Sequence, residues 1–407
     1  MRNNIHKTGN PIANIFITLL AFFAIVDPTT TLFFGISKIV FVVLFIVSLF
    51  VFTQFDKNGL IAVAIFLFIL LLTDILGYLL GYTFDTDFLI SVYKGYAYFV
   101  LLIWAKNYTL LDKLTMPSII VSITIISITL IIMYNPYSEP ILREFFYKHS
   151  YMIRIGERRY LGYRFYGIAY VSAYCLLLPF AIYIYKFLFE KQKKNQRLII
   201  CVLLGVALFL TGTRANMGAM LCLVGIMVVL RMNRTSIGQL VALLSTVIIF
   251  IAGTFVLFLL LAETGEGSIK VKYDHLDSYL RLFMEYPQIL IFGQGLGAMF
   301  YSSGFGIMTP ITEWTFMEIF RTFGIPLGLC VIGIFVYPLF VIYQKRRQLN
   351  LWKPVFFGYF FFLIVGGTNP HLFYPPGILV LLTMYSFISN PIYRNNNEQN
   401  FNNSSLL

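Results

Sequence analysis

Four polar stretches interrupt an otherwise apolar chain, and each holds residue types that could act on an anionic substrate. The first carries Glu139, Arg143, Glu144, Arg154, Arg158 and Arg159, and ends in Arg164-Phe165-Tyr166-Gly167. Guanidinium groups clustered among aromatics can grip a phosphate or pyrophosphate through paired hydrogen bonds. The same arginines could instead anchor the chain by snorkelling to headgroups. The second stretch is Thr211-Gly212-Thr213-Arg214-Ala215-Asn216, a tight hairpin between two apolar runs. A cation there is costly unless it meets an anion, while Gly212, Ala215, Gly218 and Ala219 allow close helix packing. Arg214 therefore reads either as an anion-binding residue or as a snorkelling stop.

The third stretch runs from Lys270 and Lys272 through Asp274, His275, Asp277 and Arg281 to Phe292-Gly293-Gln294-Gly295-Leu296-Gly297. In a membrane chain this glycine string does not mark a dinucleotide fold. It lets the chain turn tightly back toward the apolar region. Asp274 and His275 have no further ligand pattern beside them, so no metal site is expected. The fourth stretch, Glu313-Trp314-Thr315-Phe316-Met317-Glu318-Ile319-Phe320-Arg321-Thr322-Phe323-Gly324, brings two carboxylates and an arginine into the start of an apolar run. Glu318 and Arg321 share a helix face and should pair. Glu313 has no such helical partner, and it reads as a general base or as an acid favoured at a helix start. Asp74 and Lys94 lie inside earlier apolar runs, where ionisable residues are functional candidates or mutual partners.

The elements that must position these groups are set by composition. The 407 residues are 59% hydrophobic and 12% charged, with a mean hydropathy of +0.80, whereas a soluble domain carries about 25% charged residues. This is the balance of one polytopic membrane domain, expected over 1–393, with a disordered cytoplasmic tail at 394–407. Apolar runs of helix-spanning length fall near 11–26, 32–53, 60–80, 88–105, 117–134, 165–188, 198–212, 215–230, 237–261, 314–342, 354–368 and 377–389, giving an all-α bundle of about 12 transmembrane helices. The net charge of +12 is gathered in alternate connections, at Lys57, Lys106, Lys113, Lys191 to Arg197, Arg231, Arg234, Lys345 to Lys353 and Arg394. That pattern puts both termini in the cytoplasm and reads as topology, not as a nucleic-acid surface. It also turns the four polar stretches outward, two of them in the larger loops at about 135–163 and 262–312. The first helix has no cleavage site after it and should be retained. The four cysteines lie in or beside apolar runs and form no disulfide framework.

Taken together, Arg164-Phe-Tyr-Gly167, Thr211-Gly-Thr-Arg214-Ala-Asn216, Arg281 with Phe292-Gly-Gln-Gly-Leu-Gly297, and Glu313 to Gly324 resemble the O-antigen polymerase (Wzy) and O-antigen ligase superfamily of bacterial membrane proteins. The resemblance covers about 160–330, and the earlier runs match only in hydropathy. It implies a GT-C-like helical membrane enzyme of the bacterial inner membrane, working on its periplasmic face. The implied substrates are undecaprenyl-pyrophosphate-linked glycans, alongside membrane lipids, with room for a chain-length regulator protein as partner. The implied reaction is glycosyl transfer without a cofactor or metal: Glu313 as the base, Arg164, Arg214 and Arg281 on the pyrophosphate, and Glu318, Arg321, Gly293 and Gly295 in support. Ligases carry histidine where this chain has Glu313, which favours the repeat-unit polymerase. A ligase joining polymer to lipid A core is the nearest alternative. A flippase or transporter is the alternative from another class, supported by Asp74 and Lys94 and opposed by the unlike halves of the chain.

Overall fold

A computed structural model describes residues 11–29, 31, 33, 35–149, 152–160, 163–232, 267–369 and 372–394; the side chains of Lys94, Arg158, Arg159 and Arg164 fall outside that description. The expected span at 237–261 and the tail beyond Arg394 lie outside the described residues. The chain is mostly helical. In order come α1 (Pro11–Val26), α2 (Ile36–Val51), α3 (Lys57–Leu79), α4 (Thr86–Tyr96) continued by a 3-10 helix (Ala97–Asn107), α5 (Thr115–Tyr134) and α6 (Ser138–His149). Two strands follow, β1 (Ile153–Tyr160) and β2 (Tyr163–Tyr170), then α7 (Leu177–Phe189), α8 (Lys194–Leu210) and α9 (Arg214–Met232). The last third holds α10 (Gly267–Glu285), α11 (Ile289–Phe292), β3 (Phe300–Ser302), β4 (Ile307–Thr309), α12 (Thr315–Gln344), α13 (Trp352–Gly367) and α14 (Pro375–Ser389).

Burial runs inward from an apolar exterior. Every residue of α14 from Pro376 to Ile388 is buried, so this helix, apolar on all sides, is the post around which others pack. It meets the 3-10 helix, α1, α4 and α12. Outer helices expose large apolar side chains, among them Phe50 on α2 and Phe68, Leu71 and Ile75 on α3. Such a skin would aggregate in water and is at home in lipid. Among the described residues, four helical segments are long and apolar enough to cross a membrane: Lys57–Leu79, Leu111–Tyr134, Arg214–Met232 and Thr315–Gln344. Five shorter apolar helices accompany them. These are the features of a helical membrane protein.

The structure corrects three expectations. The run expected to span from 165 to 188 begins as β2, and its helical part starts only at Ala173. Arg164 therefore stands in an antiparallel hairpin, opposite Arg159, not at a helix start. Ile153, Ile155, Ile168 and Tyr170 of this hairpin are buried, and that half-apolar face holds it on the bundle. The larger connections are also not loops: the first carries α6 and the β1–β2 hairpin, the second α10, α11 and the β3–β4 hairpin. The run at 88–105 is half α-helix and half 3-10 helix, an unusual length for that tighter coil.

Candidate functional site

The chain's reversals gather most of the polar stretches at one end of the bundle. Tyr170 of β2 donates to the Val26 carbonyl at the end of α1, and Phe165 stacks on Phe209 at the end of α8, 6.1 Å between ring centres. Asp85, before α4, donates its N–H to the Gly297 carbonyl at 3.0 Å, and Met299 donates to Thr83 at 2.8 Å. Thr315, opening α12, donates to the Gly366 carbonyl at the end of α13. Arg154 of β1 acts electrostatically on Tyr374, beside α14. Arg214 opens α9 one short turn after α8 ends, at the same end.

The glycine string is the clasp of this end. Gly324 leaves helical geometry with φ 71° and breaks α12. Two residues on, Pro326 has no N–H to give the Thr322 carbonyl, which an intact helix would need. The glycine string fills the gap: Gln294 donates its N–H to the Arg321 carbonyl at 2.8 Å and Gly295 to the Thr322 carbonyl at 3.0 Å. Leu296 continues the series, donating its N–H to Asp74 Oδ1 of α3 at 2.7 Å. Tyr93 donates its hydroxyl to the other Asp74 oxygen. Asp74 is thus a tether between α3, α4 and the glycine string, a role with no local signature. The backbones approach so closely that side chains are excluded: a Cβ on Gly77 would meet the Gln294 carbonyl oxygen at 2.2 Å, and one on Gly293 the Thr322 oxygen at 2.2 Å. Gly293 and Gly295 also hold φ 74° and 85°, the left-handed region. Their neighbouring N–H groups are spent on the fold and offer no phosphate cradle.

Beside the clasp lies a buried ion pair. The pairing expected from the spacing of Glu318 and Arg321 is present, Nη2 to Oε2 at 2.8 Å with Arg321 fully buried. All five guanidinium N–H groups have acceptors. Nε and Nη2 reach Glu318, Nη1 reaches Gln294 Oε1 and the Ala298 carbonyl, and Nη2 also reaches the Pro310 carbonyl. The Phe300 ring covers one face of the guanidinium at 4.6 Å. Glu318 Oε1 in turn accepts from the Thr312 N–H at 2.7 Å and from the Tyr279 hydroxyl at 2.5 Å. Since a phenol has one proton, the Thr312 hydroxyl donates to Tyr279. Burial, then the Glu318 charge, pushes the Tyr279 phenol well above its ordinary range. Every charge here is consumed internally, so Glu318 and Arg321 form a framework that joins α10, α12 and the glycine string.

The other candidates are more accessible. Arg281 is 72% exposed and pairs with Asp277 one turn earlier, at 2.6 Å. Glu313 is partly exposed, with Lys272 Nζ at 3.8 Å. Lys272 also accepts on its carbonyl from the Trp314 indole. His275 beneath them is fully buried; its Nδ1 shares a proton with Ser302 Oγ at 2.7 Å, and Nε2 has no hydrogen-bond partner in the described structure. Burial holds this imidazole below its ordinary value, against the opposing pull of Glu313, Glu318 and Asp274. Arg214 is half-buried at the start of α9, which packs on α7, α8 and α13, while α10 with Arg281 packs on β3. The two arginines thus stand on separate supports. Among the described residues no three His, Cys, Asp or Glu side chains converge in a way that could hold a metal ion.

A narrow cleft opens between α4, the glycine string and α12, lined by Phe88, Val92 and Tyr96, by Leu296 and Gly297, by Thr315, Glu318 and Thr322 of α12, and by Phe373 and Tyr374. Its walls are mostly apolar, with free room of about 50 Å³, space for one or two waters at ~30 Å³ each. No family model, curated protein or solved structure matches this chain.

Proposed function

We propose that this chain is a polysaccharide polymerase that joins undecaprenyl-pyrophosphate-linked repeat units at the outer face of a bacterial inner membrane. The observation that carries this reading is an apolar cleft whose wall includes Tyr374, on which Arg154 acts electrostatically, and Thr315, two residues after Glu313. In this reading the chain spans the membrane about a dozen times, both termini are cytoplasmic by loop charge, and the gathered end faces outward.

The chemistry asked of the site is glycosyl transfer. A hydroxyl oxygen of one lipid-linked unit attacks the anomeric carbon of another, and the bond from that carbon to the pyrophosphate oxygen breaks. The hydroxyl proton passes to Glu313, a partly exposed carboxylate that can accept it. The departing undecaprenyl pyrophosphate carries the displaced electron pair and is stabilised by arginines. Arg281 and Arg214 reach the surface for that role, and Arg164 stands in the neighbouring hairpin. Glu318 and Arg321 hold the frame.

The test is glycan length in a strain lacking the gene. The proposal expects single repeats on the lipid carrier, and restoration of long chains by the wild-type gene. Full chains stranded on undecaprenol would identify a ligase instead, and loss of outer-leaflet repeat units a flippase. Purified protein with a purified lipid-linked repeat unit should then build chains in vitro, and Arg214→Ala and Glu313→Gln should not, while both variants stay in the membrane.

A further inference from the structure

At the opposite end of the bundle, where α7 ends and α8 begins, lies a second cavity that the proposed reaction does not use. It holds about 200 Å³ of free room and is lined by Tyr183, Lys186, Lys193, Gln196 and Arg197. Among the described residues no carboxylate lines this cavity, and Arg197 is joined to Glu190 at 2.5 Å. Arg197 also donates to the Lys186 carbonyl, which fixes its largely buried guanidinium against the end of α7. That leaves two lysines facing one open space, with no carboxylate partner among the described residues. Lys186 Nζ lies over the Tyr183 ring, 5.8 Å from its centre. Lys193 adopts φ 50°, a left-handed backbone that a lysine rarely takes. The residue enters the turn at that cost and lines the cavity. No side chain caps the first turn of α8 at Lys193, so the N–H groups there add to the positive potential.

From this arrangement we infer that the α7–α8 cavity binds a phosphate anion, the chemistry shared by the headgroup of an anionic phospholipid and by free phosphate. Like charges held around a cavity favour an anion between them. The cavity's volume accommodates a phosphate with part of its headgroup, at ~30 Å³ per displaced water. Its place at the ends of two apolar helices is the depth at which basic pockets meet lipid phosphates. The inference stands apart from the proposed polymerase reaction and survives its failure.

The experiment uses the full chain released from detergent and analysed by native mass spectrometry. Phosphatidylglycerol and phosphatidylcholine are titrated in separate arms, and inorganic phosphate in a third. The wild type should retain phosphatidylglycerol over phosphatidylcholine. The double variant Lys186→Gln with Lys193→Gln should lose that preference about 25-fold, about fivefold for each lysine. A control with the same charge loss, Arg346→Gln after α12 with Lys353→Gln in the first turn of α13, should keep it. Inorganic phosphate that binds the wild type, spares the double variant and displaces phosphatidylglycerol would assign the same site to a soluble source. Equal retention by wild type and double variant, or equal loss in the control, would overturn the inference. Elution as a single monodisperse species and an unchanged unfolding midpoint would show that the variants still fold.

Discussion

Replacing Arg321 by methionine should be among the most damaging single changes in the protein, and the damage should be partly reversed by a second substitution. Methionine keeps most of the volume but removes all five donors. Glu318 would then remain a buried carboxylate with only the Thr312 N–H and the Tyr279 hydroxyl for partners. The Ala298 and Pro310 carbonyls and Gln294 Oε1 would lose their donor. Breaking a buried ion pair from one side costs about 3–5 kcal/mol, most of it from the charge left behind. Changing Glu318 to glutamine as well removes that charge, so the double variant should be more stable than Arg321→Met alone, with a coupling of about 0.5–3 kcal/mol. The assay is unfolding of the detergent-solubilised protein for wild type, both single variants and the double, analysed as a cycle. Limited proteolysis between 267 and 314 would locate the loosening. An Arg321→Met protein that unfolds like the wild type, or a double variant worse than either single one, would refute the reasoning.

Alanine at Gly77 or Gly293 should open the clasp, because each new Cβ would press on a backbone oxygen at 2.2 Å. Faster hydrogen exchange at the amides of Gln294, Gly295 and Leu296 is the measurement. Asp74→Asn should cost about 1.5–3 kcal/mol, the range for a hydrogen bond to a charged acceptor, and show the same exchange signature at Leu296. The pH response of the α10 region should follow His275. Its folded value is depressed below 6.5, so the unfolded chain takes the proton first as pH falls. The stability that neutral His275 contributes is complete above 6.5 and is lost as pH drops through the depressed folded value. Exchange protection of 267–285 at pH 7.5 and pH 5, corrected for intrinsic rates, should show this loss in the wild type and less of it in His275→Gln.

Much of the helical frame was legible because a membrane-embedded helix announces itself by an unbroken apolar run. The stretches at 11–26, 117–134 and 377–389 match α1, α5 and α14 within two residues. The β1–β2 hairpin was not, since its second strand is apolar enough to merge with the helix after it. The signal for the first strand is the period of two in Ile153-Arg154-Ile155. The Glu318–Arg321 pair was readable from helical spacing alone. Its remaining partners were not, because Tyr279 lies 39 positions from Glu318 and Gln294 lies 27 from Arg321. Asp74 meets Leu296 across 222 positions, a contact fixed by tertiary packing and by nothing in either neighbourhood. Glu313 shows the converse: its own helix offers no partner, and its cation came from Lys272 on another element.

The glycine clasp has a consequence for how this protein tolerates variation. Gln294, Arg321 and Thr322 join through main-chain atoms that any residue but proline supplies, so those bonds place little demand on side-chain identity. The demand falls instead on Gly77, Gly293 and Gly324, and it is for the absence of a side chain. A saturation library across α3, the glycine string and α12 should therefore accept glycine alone at Gly77, Gly293 and Gly324, as at Gly59 where α3 meets the Leu102 carbonyl, among lipid-facing neighbours such as Leu71, Ile75 and Leu329 that accept most apolar residues.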